Sequence, residues 1–140
     1  MAIQSSGAAR YEEGIEAGEV SPAEMAEVGL TAFFAIAREW GLNREQQRRL
    51  LGSPGRSRFY SMVREHKGAL SNDELDRLSY IVGIYAALNI LYNPENTLRW
   101  LRHPGEPDAP WGGMSPLEYM LTGKLVALAD VRRYLDALRG

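Results

Sequence analysis

LSNDELDRLSYIVGIYAALNILY, residues 70 to 92, decides how the rest of the chain must fold. Ser71 stands at a helix N-cap and Glu74 follows three residues later, a capping box in which each side chain satisfies a backbone N–H of the other. Leu75, Leu78, Val82, Tyr85, Leu88 and Tyr92 then recur at helical spacing, and Ile81, Ile84 and Ile90 widen the apolar surface. The fifteen residues from Leu78 to Tyr92 hold no Asp, Glu, Lys or Arg. A membrane span needs about 20 apolar residues, so the expectation is a buried helix and no membrane association. A helix apolar over so much of its circumference must be covered on more than one side, by the other helices or by a second copy of the chain. A homodimer is one expectation that follows.

Similar start signals lie on either side. Ser21-Pro22-Ala23-Glu24, Asn43-Arg44-Glu45-Gln46 and Ser115-Pro116-Leu117-Glu118 repeat the capping logic, and Asn93-Pro94 supplies a cap and a Pro at the first helical position. They predict helices over 22–40, 44–51, 72–92, 94–102 and 116–121, with a closing helix over 124–138. After the turn Ser53-Pro54-Gly55, residues 56–66 place Phe59, Met62 and Val63 on one face and turn Ser57, Ser61 and Arg64 the other way. No segment alternates with a period of two for long enough to be a strand. The chain reads all-α: a flexible tail over residues 1–20, an N-terminal helix-turn-helix over 21–68, and a small helical domain over 69–140 for partner binding or dimerisation.

The chain has 140 residues, enough for one compact unit or two very small packed ones and too few for a multidomain enzyme. Cysteine is absent, which excludes disulfides, thiolate nucleophiles and cysteine-ligated metal. The first residues, MAIQSSGAARYEEG, have neither a basic start nor an apolar signal core, so a cytoplasmic location is expected. With only His66 and His103, and no GxSxG, Walker or HExxH motif, the inventory points to no catalytic residue, no metal site and no cofactor. Asp73, Glu74 and Asp76 sit where a helix dipole favours negative charge.

A formal net charge of −2 hides a sharp division. Residues 1–37 carry −5, residues 38–67 carry +5, and residues 68–140 carry −2. The basic thirty residues also hold a short helix, a Gly-bearing turn and a second helix, the layout of a helix-turn-helix. In that motif the second helix enters the major groove while the first crosses the backbone. Arg44, Arg48 and Arg49 are placed to meet phosphates; Arg56, Ser57, Arg58, Tyr60, Ser61 and Arg64 are candidates for base contact, and Lys67 extends the same basic surface. The competing reading is a solvated basic face paired with the acidic N-terminal segment.

The order of segments carries a resemblance. WGLNREQQRRLLGSPGRSRFYSMV (40–63), LSNDELDRLSYIVGIYAALNILY (70–92), WLRHP (100–104), WGGMSPLEYMLTG (111–123) and VRRYLDALRG (131–140) together resemble the Xre/MbcA/ParS-type antitoxins over about 100 residues. The resemblance implies an antitoxin of a type II toxin–antitoxin pair whose partner is a RES-domain toxin that depletes NAD. In that family the C-terminal domain covers the toxin, the last residues close its active-site cleft, and the helix-turn-helix of a commonly dimeric protein binds the operon's own promoter DNA. Carried onto this chain, the toxin-facing residues are Arg132, Arg133, Tyr134, Asp136, Leu138, Arg139 and Gly140 of the last helix, with the loop Trp111-Gly112-Gly113-Met114-Ser115-Pro116 shaping the same surface. Two positions depart from the family pattern: Trp111 stands where Phe is common, and Gly105 where Asn is common. The loop also has a purely architectural reading, in which the glycines allow positive φ and Trp111 packs on the core. A different class, a stand-alone transcription regulator whose C-terminal domain only dimerises, shares the helix-turn-helix.

Overall fold

The computed structural model describes residues 21–140; the expected tail over residues 1–20 lies outside the described residues. Among these, seven helices follow one another: α1 Pro22–Glu39, α2 Arg44–Leu50, α3 Arg56–Glu65, α4 Asn72–Leu91, α5 Pro94–Arg102, α6 Pro116–Met120 and α7 Leu125–Arg139. Their starts are written locally. Ser21, Asn43, Ser71, Asn93 and Ser115 each cap a helix by accepting a backbone N–H with the side chain, and at Asn43, Ser71 and Ser115 the capping box closes in both directions. Such caps contribute about 1 kcal/mol each.

Helix α4 is the axis of the molecule. Helices α1 and α7 pack along it, α5 folds back against it, and α6 bridges α5 to α7. Leu78, Val82, Ile84, Ala87 and Leu88 are fully buried, and Ile81 and Tyr85 nearly so. Burying a large aliphatic side chain stabilises by about 1.5–3 kcal/mol, so this helix supplies much of the core. The cover it requires comes from its own chain, and Ile90 is the one large apolar residue of α4 left exposed. Of the two covers expected for its apolar circumference, the other helices of its own chain supply the one observed.

The α2–α3 hairpin is tied to both neighbours. Phe34 of α1 meets Phe59 of α3 at 6.2 Å between ring centroids and stacks on His66 at 5.1 Å. From the other side, Arg77 of α4 lies buried against the turn that follows α2, donating from Nη1 to the Leu50 carbonyl at 3.4 Å and from Nε to Asp73 at 2.7 Å. Gly52, at φ +90°, makes this approach possible: a Cβ there would lie 3.0 Å from Arg77 Nε and 3.2 Å from Asp73 Oδ2.

Candidate functional site

The ten residues proposed from sequence as DNA contacts divide into two groups. Arg49, Arg56, Arg64 and Lys67 are exposed and, among the described residues, carry no ion pair or side-chain hydrogen bond. Ser57 and Tyr60 are exposed beside them, whereas Ser61 is half-buried. The other three arginines are occupied. Arg44 donates to Gln47 Oε1 at 2.8 Å and sits 5.9 Å from the centre of the Phe34 ring, a cation–π distance. Arg48 binds Glu45 at 2.8 Å and donates to the Pro54 carbonyl at 2.9 Å, which braces the turn. Its guanidinium holds the Glu45 carboxyl below its ordinary pKa, and burial opposes this only in part.

Arg58 departs furthest from its assigned role. Its two terminal nitrogens reach both carboxylate oxygens of Glu74 at 2.5 and 2.6 Å, and Nη2 also meets the Ala69 carbonyl at 2.8 Å. This forked pair ties α3 to the first turn of α4. Burial alone would raise the pKa of Glu74, but the Arg58 hydrogen bonds, the Ser71 backbone N–H and the Arg58 charge outweigh it and hold the carboxyl below its ordinary value. His66 closes α3 in a left-handed conformation, φ 52° and ψ 37°, with Nδ1 3.3 Å from Thr31 Oγ1. Burial, and then the charge of Arg44, push its pKa down, so it acts as a packed neutral ring at pH 7.

The toxin-facing candidates lie at the opposite end of the chain. Gly113, Met114, Arg133, Asp136, Leu138, Arg139 and Gly140 are exposed, and Gly112 is half-buried at φ +57°. Arg132 is bound to Asp136 at 3.0 Å, Arg139 lies 3.8 Å from the same carboxylate, and Arg133 meets Asp130 at 3.2 Å. Asp130 also accepts from the Tyr119 hydroxyl at 2.5 Å, which, with burial, raises the tyrosine pKa. Arg132 reaches across to α4 as well. A Cβ added at the buried Gly83 would overlap its Nη1, so the absence of a side chain there gives the guanidinium its seat.

Trp111 is a packing residue. It is 4% exposed and meets Trp100 at 5.9 Å, Tyr119 at 6.1 Å and Tyr134 at 4.9 Å between ring centroids. The two departures from the family pattern touch each other: a Cβ on Gly105 would overlap Trp111 Nε1. The larger ring occupies the room that a side chain at 105 would fill. Between α5, the 103–116 loop and α7 this cluster leaves an open cleft of about 750 Å³, walled by Trp100, Trp111 and Tyr134 and edged by Arg99, Arg102 and His103. Sequence reasoning missed Arg99, Trp100 and His103 as surface-forming residues. WLRHP carries only the family resemblance in the sequence, although Trp100 and His103 three apart at one helix end are a visible signal.

The fold thus presents a basic helical hairpin and, at the far end of a shared helix, a partner-sized cleft beside an exposed terminal helix, with no group of three or more His, Asp or Glu placed to hold a metal and no helix long and apolar enough to cross a membrane among the described residues. Two surfaces at opposite ends of α4 are therefore the candidates for binding a partner. Comparison with known families gives the class a specific form: residues 19–83 match the antitoxin Xre-like helix-turn-helix domain and residues 86–140 match the antitoxin Xre/MbcA/ParS C-terminal toxin-binding domain. A similar protein of Sinorhizobium fredii (strain NBRC 101917 / NGR234), the uncharacterized protein y4oB, is 44% identical over 112 residues, 79% of this chain and 84% of the relative. The chain belongs to the Xre/MbcA/ParS antitoxins, with a helix-turn-helix domain followed by a toxin-binding domain.

Proposed function

We propose that this antitoxin neutralises a RES-type, NAD-depleting toxin by covering it with residues 69–140 and closing its active-site cleft with the end of α7, while residues 21–68 bind the promoter of its own operon. The carrying observation is the exposed end of α7: residues 136–140 are all solvent-facing, whereas Val131 and Leu135 just before them are fully buried. The terminal five residues are exposed and available to a partner, and the ion pairs of Asp136 with Arg132 and Arg139 are partly exposed to solvent. The protein acts in the cytoplasm as a homodimer on its operator, in keeping with the family.

The same burial pattern selects the experiment. Removing residues 131–140 would take Val131 and Leu135 out of the core, so the informative truncation ends at Leu135. We expect the protein lacking residues 136–140 to lose little stability, since only the partly exposed Arg132–Asp136 pair goes with it, to keep its operator affinity, and to lose protection when co-expressed with the toxin encoded next to it. Intact protection by the truncated chain would refute the occlusion mechanism, and NAD loss that the full-length protein fails to relieve would refute the toxin assignment.

On the DNA side the informative residues are Arg56 and Arg64, exposed on α3 with no internal partner among the described residues. Replacing either with Ala should weaken promoter binding by about 1–3 kcal/mol if it reads a base. A phosphate contact would instead give a uniform loss across sequences and a shallower salt dependence. Measurement by fluorescence anisotropy at two salt concentrations separates the cases, and toxin neutralisation should be unaffected.

A further inference from the structure

We propose that the cleft between α5, the 103–116 loop and α7 seats an acidic segment of the toxin, a carboxylate next to a large apolar or aromatic side chain. The proposal rests on the toxin-binding reading and names a second contact for it, separate from the end of α7. Charge is the first argument. Arg99 and Arg102 edge the cleft against the single carboxylate of Glu106, with His103 beside them. Arg102 is partly committed, donating from Nη2 to the Trp40 carbonyl at 2.7 Å. Arg99 has no ion pair or side-chain hydrogen bond among the described residues, and its planar fork suits a carboxylate held by two parallel bonds.

The wall is the second argument. Trp100 meets Trp111 edge to face, and Trp111 meets Tyr134 in the same way. Such a wall buries an apolar side chain with defined geometry. Trp111 is also buried with its Nε1 unpartnered, and that nitrogen lies beside Gly105 in the cleft lining.

Position argues for a protein segment as the occupant. Tyr134, in the cleft wall, precedes the exposed Leu138 by one helical turn, and Met114, in the loop across the cleft, is also exposed. A partner that covers the end of α7 therefore meets the cleft as part of one continuous surface.

The test uses the full-length antitoxin and the toxin encoded beside it, with affinity read by calorimetry. Arg99→Glu should weaken the complex by about tenfold or more, and Arg99→Lys, which keeps the charge but loses the fork, should fall between Arg99→Glu and the wild type. Both variants should melt and bind operator DNA like the wild type. An Arg99→Glu affinity within about twofold of wild type, alongside a clear loss on removing residues 136–140, would overturn this contact and leave the toxin-binding reading standing. A wild-type protein that forms no complex would overturn both.

Discussion

Replacing Leu135 with Ala is expected to destabilise the protein by about 2–5 kcal/mol and to abolish toxin neutralisation. Leu135 is fully buried, as are Val131 one turn before it and Ala127 earlier on the same helix, and together these residues hold α7 against α4. The start of the helix adds little to this. Lys124 stands at its N-cap without a side-chain hydrogen bond, so α7 lacks the local start that five of the other helices have. Short helices depend on packing for most of their stability, and a cavity under Leu135 falls where α7 is most exposed to that dependence. A drop in melting temperature of roughly 6–15 °C by calorimetry, with the α7 amides exchanging fastest, would confirm the account. A melting temperature within about 1 °C of wild type would contradict it. The comparison with the chain lacking residues 136–140 is informative because that truncation should lose function while losing little stability.

Glu74→Ala should produce the second large effect, about 2–3 kcal/mol, by removing two contacts at once. The first is the side-chain half of the capping box, the bond its carboxylate accepts from the Ser71 N–H, while the Ser71 hydroxyl goes on accepting from the backbone N–H of residue 74. The second is the forked pair with Arg58, discounted because the arginine side chain is 43% exposed to solvent. Operator binding supplies the decisive readout. Deleting a negative charge beside a basic hairpin should tighten DNA binding if only long-range charge mattered. We expect it to weaken, because α3 loses its tie to α4. A double-mutant cycle with Arg58→Ala should show coupling, and additive effects would mean that the pair positions nothing. The pH dependence has a definite sign. A carboxylate whose folded pKa lies below its unfolded value contributes stability that is present above the unfolded pKa and lost as pH falls through the folded one. The gap in stability between wild type and Glu74→Ala should therefore close on acidification below about pH 4.5.

Features written within a few residues were legible in the sequence. The caps at Ser21, Asn43, Ser71, Asn93 and Ser115 each involve residues three apart, and all five helices begin where those patterns place them. What escaped are side chains that join distant parts of the chain. Arg58 and Glu74 are 16 residues apart, Arg102 and Trp40 are 62 apart, and no periodicity records such pairs. The basic stretch of residues 38–67 is real as composition, yet Arg44, Arg48 and Arg58 serve the hairpin's own architecture. Trp111 and Gly105 each looked like an isolated departure from a family pattern; side by side, they fit one space. The cleft escaped for the same reason, since α5, the loop and α7 meet only in the folded chain.

Helix α4 has one more property. Its first turn binds the DNA-side hairpin through Glu74 and Arg77, and Gly83, near its midpoint, seats Arg132 of the terminal helix. A helix of 20 residues is about 30 Å long and does not bend easily. No flexible linker intervenes between the two binding surfaces. On the proposed function the chain would work as a spacer of set length, with a toxin at one end at a defined offset from DNA bound at the other, and neighbouring sites on the DNA would have to be spaced to accommodate it.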